Sequence, residues 1–340
     1  MTQLSMPTDQ APPAQQRYSK VPRLWMRLVW PALGLVLLVG LDLLIIPHFG
    51  QITFADGRFA GTLIEIFRWS GPLITLAIGM TLVIATGGID LSVGAVMALA
   101  GAVTGALVAN QWSPLAAIAA AIGVSLLAGL WNGILVTVLD IQPIVATLVL
   151  MVAGRGLAQR IGGSAHLEVP GAIFDWIGGS TFSLPTEGLF GLVVFAVTVL
   201  FVRVSNAGLL LEATGGNRVA SRFAGVPVKR VVLMSYVFCG VCAGMAGLLV
   251  TADNHGIDPS QTGIYWELDA ILAVVLGGTS LTGGRFSLTG TVLGSVLIWT
   301  LTTSILSKVA PAWALIAKAV VVIAVCLLQS DAFRRKVLRK

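Results

Sequence analysis

Charge is scarce in this sequence. Only 11% of its 340 residues are Asp, Glu, Lys or Arg, while 56% are hydrophobic and the mean hydropathy is +0.92. A soluble domain uses about 25% charged residues to cover a water-facing surface, so an ordinary soluble fold is excluded. The chain is read against lipid, where each span takes about 20 apolar residues. Histidine and cysteine are scarce as well. His48, His166 and His255 are scattered through polar segments, none near a Ser or Cys motif, which removes the basis for a metal site or an intramembrane enzyme. Cys239, Cys242 and Cys326 lie in apolar stretches with no second ligand pair, as small packing residues do. Also missing is a G-x-x-x-x-G-K-[ST] segment. The nearest candidate, Gly278 to Arg285, lacks the lysine that contacts phosphates, so no nucleotide site is expected in this chain.

What is present is a succession of apolar runs. They predict an all-α polytopic membrane protein of about ten transmembrane helices, at 27–46, 63–86, 89–109, 114–139, 143–161, 187–204, 229–252, 266–281, 286–307 and 312–329. The junction Gly87-Gly88-Ile89-Asp90 reads either as a loop or as a helix break within the membrane. Residues 1–24, with Pro7, Pro12, Pro13 and Pro22, read as a disordered cytoplasmic tail. Residues 25–330 read as the transmembrane domain and 331–340 as a basic cytoplasmic tail. The first apolar run has no small-residue cleavage site, so it reads as a retained span. With the N-terminus inside, fifteen of the 21 Lys and Arg fall in inside segments and three, Arg58, Arg160 and Lys308, outside. Arg68, Arg155 and Lys318 fall within spans. This bias orients the chain with both termini in the cytoplasm, and the net charge of +6 is a membrane-orientation signal, not a nucleic-acid one.

Small residues recur at helical spacing: Ala121, Ser125, Gly129 and Gly133; Gly240 and Gly244; Gly290 and Gly294. Such stripes let helix backbones approach closely in lipid. Gly87-Gly88 followed by Gly94 is echoed by Gly283-Gly284 followed by Gly290, a weak sign of internal repetition.

The longest inside connection is the segment 205–230. Its centre is Glu212-Ala213-Thr214-Gly215-Gly216-Asn217, followed by Arg218 to Ala224 and Gly225. Asn217 is a candidate N-cap and Gly225 a candidate helix end. Ala220, Phe223 and Ala224 form one face of the short helix between them, and Arg218 and Arg222 stand one turn apart. A short amphipathic helix under the membrane either docks on a partner or simply lies in the interface. The segment Glu212-Ala213-x-Gly215-x-Asn217 to Ala224-Gly225-Val226 resembles the cytoplasmic coupling segment of ABC-importer permeases of the ribose/monosaccharide group. Gly87 to Gly94, Gln142 to Leu148, Glu267 to Ile271 and Gly277 to Gly284 resemble the same family, and residues 77–98 are most similar to its galactofuranose-type members. Ser221 departs from the more frequent alanine.

The resemblance implies a monosaccharide permease, best assigned to galactofuranose or galactose, with ribose or another pentose as the alternative sugar. It implies a cytoplasmic ABC ATPase that hydrolyses ATP on this chain's behalf. It also implies a second permease subunit, identical or paralogous, and a periplasmic sugar-binding protein. The coupling residues would be Glu212, Ala213, Gly215, Asn217, Arg218, Arg222, Phe223 and Gly225.

Polar groups inside spans are costly and often mark a pathway. Asp90, Ser92, Asn132, Gln142 and Thr147 are the candidates here, as sugar ligands or as capping and interhelical bonds. Glu267 and Asp269 open the eighth predicted span on its outer side. They are candidates for docking the binding protein, or carboxylates that favour a helix N-terminus. Arg155 and Lys318 either snorkel or line the pathway. An ion-coupled secondary carrier is the competing class, and the few buried ionisable groups weigh against it.

Overall fold

A computed structural model describes residues 24–308 apart from 56, 164 and 165, together with positions 313, 316, 319, 320 and 323, which are helical and exposed. Both expected tails, Lys318, Cys326 and most of the tenth predicted span lie outside the described residues.

The described chain is a bundle of helices with three two-stranded ribbons at one end. Helix α1 (Leu24–Ile45) leads to the hairpin β1 (Thr53–Ala55) and β2 (Arg58–Ala60). Then come α2 (Thr62–Ala85), α3 (Val93–Ala109), α4 (Pro114–Thr137) and α5 (Pro143–Gly162). The next connection holds β3 (Leu167–Glu168), α6 (Ala172–Ile177) and the hairpin β4 (Ser180–Thr181) and β5 (Leu184–Pro185). Helix α7 (Thr186–Val204) precedes two short helices, α8 (Ala207–Gly216) and α9 (Arg218–Phe223). The chain continues through α10 (Val228–Asp253), β6 (Gly256–Ile257), α11 (Trp266–Leu276) and α12 (Leu288–Leu306). Strand β6 pairs with β3, which ties the connection before α7 to the one before α11.

Among the described residues, seven helices, α1, α2, α4, α5, α7, α10 and α12, are long and apolar enough to cross a membrane; α3, at 17 residues, is a shorter apolar helix. Eight of the ten predicted spans coincide with described helices, and the tenth, 312–329, lies mostly outside the described residues. The eighth is corrected in kind. Instead of covering 266–281, α11 has 11 residues, about 16 Å of helix against an apolar layer of about 30 Å.

Helices α2 and α10 form the centre, with α10 packed against α2, α3 and α4, and α2 against α7, α11 and α12. The small-residue stripes are their seams. An added Cβ on Gly240 would fall 2.5 Å from the Ser125 carbonyl oxygen, and one on Gly129 would fall 2.5 Å from that of Tyr236. Gly290 and Gly294 back onto Gly277 and Ala273 in the same way. Where lipid supplies no hydrophobic drive, this proximity supplies the dispersion that holds helices together.

These seams also set depth. Helices α3 and α10 run in register, Gly101 against Thr251 and Met97 against Gly247. Three residues below Met97, the backbone of Gly94 meets that of Gly263: an added Cβ would fall 2.2 Å from the Gly263 carbonyl oxygen and 2.5 Å from Glu267 Oε2. Gly94 therefore lies about 14 Å inside the end of α10 at Asp253 and about 24 Å from its start. The non-helical stretch 258–265 thus descends into the bundle before α11 begins. Irregular backbone at that depth is tolerated when protein covers it. Here Pro259 sits against Gly162, and the Arg155 guanidinium donates to the Thr262 carbonyl. The descent begins at Asp258, whose carboxylate accepts from the Ser260 amide (2.9 Å) and hydroxyl (2.6 Å). The Ser260 hydroxyl foremost holds that carboxyl below its ordinary range.

Candidate functional site

One end of the bundle collects α8, α9 and two turns that share a glycine pair. Helix α2 ends at Thr86, and Gly87 follows with φ +78°; the turn before α12 carries Gly283 and Gly284 at φ +88° and +91°. The two turns touch. An added Cβ on Gly283 would meet the Gly87 nitrogen at 2.8 Å, and the Gly284 amide donates to the Ala85 carbonyl at 2.9 Å. The sequence echo is therefore a spatial pair as well. The junction 87–90 resolves into a short non-helical break inside the protein, with Gly88 and Asp90 buried.

Helix α8, a second short helix ahead of the expected one, seats on this pair. An added Cβ on Gly215 would fall 1.8 Å from the Ala85 carbonyl oxygen and 2.4 Å from the Gly284 nitrogen. Helix α9 follows as expected. The Asn217 side chain accepts from the Ala220 amide at 2.9 Å, and Gly225 closes the turn at φ +83°. The Arg218 guanidinium donates to the Thr86 carbonyl at 3.0 Å. Ser221, the departure from alanine, is buried and donates to the Ala213 carbonyl at 2.7 Å. That bond joins α9 to α8.

The expected apolar face of Ala220, Phe223 and Ala224 is exposed. Phe223 projects at 88% exposure with Val219 one turn before it, while Ser221 is the residue that packs inward. Glu212 and Ala213 are half-buried on α8, and Arg222 is exposed beside Phe223. Eight of the sequence candidates thus form one rigid ledge with an aromatic tip, backed by the ends of α2 and the 283–284 turn.

Directly behind that ledge lies a buried polar knot. Asp90 Oδ1 accepts from the Ser92 amide (2.9 Å), the Ser92 hydroxyl (2.6 Å) and Asn132 Nδ2 (3.3 Å), and Asn132 Nδ2 also reaches Ser92 Oγ at 2.8 Å. All three residues are buried. A carboxylate stays in such a place only when donors surround it. Asn132 Oδ1 has no partner, so its acceptor is spare. Tyr236, unnoticed in the sequence, donates to the Ile89 carbonyl at 3.4 Å. It is one of three tyrosines in the chain, and a phenol inside an apolar span that needs a partner is the signal that would have found it. Thr147 is buried beside the same carbonyl at 3.5 Å, but its single proton is better placed for Pro143 at 3.0 Å. Gln142 is exposed before α5 and makes no side-chain cap bond; it does not join the knot.

Glu267 and Asp269 are also placed differently from expectation. They open α11, but α11 starts at the level of Gly94, well inside the bundle, and both residues are half-buried there. The dipping stretch 258–265 separates them from the bundle end that a docking protein would reach. That end carries other charges: Arg68 donates to Asp253 at 3.4 Å, and His255 and Asp175, both exposed, lie 3.5 Å apart.

With this geometry in hand, likeness to known proteins is informative. The family described as the permease component of branched-chain amino acid transport systems matches residues 62–326. The galactofuranose transporter permease of Escherichia coli strain K12 is 47% identical over 316 residues, covering 90% of this chain and 92% of that protein. The fructose import permease protein FruF of Bifidobacterium longum is 36% identical, covering 89% and 87%. The ribose import permease of Escherichia coli K12 is 32% identical, covering 88% and 92%. No solved structure matches the chain.

Proposed function

The chain belongs to this permease-component family, as a multi-pass inner-membrane transport subunit and not an enzyme, and we propose that it forms the passage for galactofuranose in an ABC importer. The sugar rests on the 47% identity to a galactofuranose permease along nearly the full length of both chains. The mode of drive rests on the ledge. An exposed aromatic tip on a helix tied to the ends of two spans is what a force-transmitting contact with a separate ATPase requires. A second permease subunit completes the passage, and a periplasmic binding protein delivers the sugar to the end opposite the ledge.

Force applied at Phe223 has a continuous route inward. It passes through the Ser221–Ala213 bond and the Arg218–Thr86 bond into the end of α2. From there it reaches the glycine turn and the Asp90 knot against α4 and α10. Two glycine turns in contact form a joint that hinges more readily than continuous helix. On this reading, motion at α9 is coupled to the break between α2 and α3.

The test is reconstitution with the ATPase and binding protein in proteoliposomes. Uptake is measured for labelled galactofuranose, galactose, ribose, fructose and leucine. ATP-dependent uptake with galactofuranose preferred is the expected result. Preference for ribose, fructose or leucine would overturn the substrate, and uptake driven by an ion gradient without ATP would overturn the importer class.

A further inference from the structure

At the level of Gly94, α5 and the start of α11 enclose a hollow of about 300 Å³ lined by Met151, Val152, Arg155, Ile264, Tyr265 and Glu267. We propose that this hollow is a sugar-binding station within the membrane, at which Arg155 and Glu267 hydrogen-bond the hydroxyls of a monosaccharide and Tyr265 covers one face of its ring. The proposal rests on the sugar-permease reading and names the residues that would handle the sugar once the binding protein has released it.

Three observations carry it. The first is depth. Glu267 Oε2 lies against Gly94, and Gly154, next to Arg155 on α5, faces Ala95, so the hollow sits inside the apolar layer and not at its rim. The second is charge. Arg155 and Glu267 attract one another across the hollow, and both are only half-buried. A half-exposed guanidinium at that depth cannot face lipid, where a central arginine costs about 2.5–3.5 kcal/mol even on the mildest scale. This face of α5 must therefore border water or another subunit. The exposed Val145, Val149 and Val152 on the same helix fit a wall shared with a second permease subunit.

The third observation is chemical fit. The volume lies at the small end of ligand pockets, about 300–1,000 Å³, which suits one monosaccharide. Arg155 is held by the Thr262 carbonyl and opposed by Glu267, so the site offers donors and acceptors with nearly balanced charge. Such a site suits hydroxyls better than an ion. Tyr265 is 49% exposed and held at φ +65°, a left-handed conformation rare for an aromatic residue. That backbone turns its ring out into the hollow at the point where the dipping stretch becomes α11. A non-glycine residue kept in such a conformation points to a positional requirement.

The asparagine–aspartate knot nearer the ledge is buried, whereas the hollow is open and brings charged groups to a largely apolar wall. A station of this kind should bind weakly, because tight binding would stall passage.

The test uses the complete importer in proteoliposomes with Glu267→Gln, Tyr265→Leu and Val152→Trp. Val152 is 69% exposed, so a tryptophan there fills the hollow without entering the core. Retention of the ATPase subunit and the thermal unfolding midpoint report folding. Loss of one hydrogen bond to a charged group predicts that Glu267→Gln weakens transport by about tenfold. Tyr265→Leu should narrow the preference among galactofuranose, ribose and fructose, a change that a purely structural role would not produce. Val152→Trp should block uptake of every sugar. Wild-type rates and preference in all three folded variants would overturn the station while leaving the permease reading intact. Failure of the unsubstituted importer to move any sugar would overturn that reading first.

Discussion

Asp90 shows how one residue can be legible in type and illegible in role. Its carboxylate accepts three hydrogen bonds through one oxygen, two from Ser92 and one from Asn132, which lies 42 positions away. The amide oxygen of an asparagine could accept the same three, so Asp90→Asn keeps the geometry and removes the charge. We predict an inserted protein of near-normal thermal stability whose uptake falls by about tenfold or more, the scale of one lost charge-assisted interaction. Normal uptake by that variant would reduce Asp90 to a structural cap. Asn132→Ala is expected to behave in the opposite way. It removes two donations from Nδ2 and strands a buried carboxylate, which costs about 2–3 kcal/mol of stability. Thermal unfolding in nanodiscs would show this directly, and an unchanged midpoint would mean that water or Ser92 alone satisfies Asp90.

At the scale of elements, the coupling proposed for the ledge would divide between α8 and α9, and two substitutions separate their parts. Phe223 projects from α9 at 88% exposure among the described residues. Phe223→Asp places a charge where a partner groove would be dry, and we expect it to weaken retention of the ATPase by about 30-fold or more, the effect of losing one interface anchor. Gly215→Val acts on α8. Its Cβ would fall 1.8 Å from the Ala85 carbonyl oxygen, so α8 must lift from α2. The aromatic tip survives, so the ATPase should still co-purify, but sugar-loaded binding protein should no longer stimulate hydrolysis. If both variants fail in the same way, the ledge does not act in two parts.

The contrast between α9 and α11 also shows what a sequence can reveal. Asn217 and Gly225 announce the ends of α9 because caps are local chemistry. The eighth span misled because apolar residues continue past Gly277 and Gly278 to Leu281, and glycines are also common inside membrane spans, so the stop that Gly278 makes at φ +85° did not stand out. The depth of Glu267 was beyond reach for the same reason. It follows from the backbone of Gly263 resting on that of Gly94, a contact between segments far apart in sequence. Helix α8 was missed because it has only 10 residues and contains two adjacent glycines, a poor helical signature.

For the whole molecule, the charge distribution predicts which end faces the cytoplasm. Arg203, Arg218, Arg222, Lys229, Arg230 and Arg285 gather at the end that carries the ledge, while Glu168, Asp175 and Asp253 mark the other. Basic residues are retained on the cytoplasmic side during insertion, so the ledge should face inward, where ATP is available. The structure chooses good reporters for this. Phe182, at 90% exposure, lies in the hairpin turn between β4 and β5, and Phe223, at 88%, tips α9. Ser221 would be a poor reporter, because it is buried against α8 and would resist labelling on either side. Cys239 and Cys242 are buried and should stay silent; Cys326→Ser removes the third thiol. In that background, Phe182→Cys should react with a membrane-impermeant maleimide applied to cells whose outer membrane has been permeabilised. Phe223→Cys should react only after the inner membrane is opened. A single experiment thus tests orientation and the force path together. If Phe223→Cys were labelled from outside, the ledge would face the binding protein and no ATPase could reach it. The coupling role would then have to move to the opposite end, among β1–β6 and the six-residue α6.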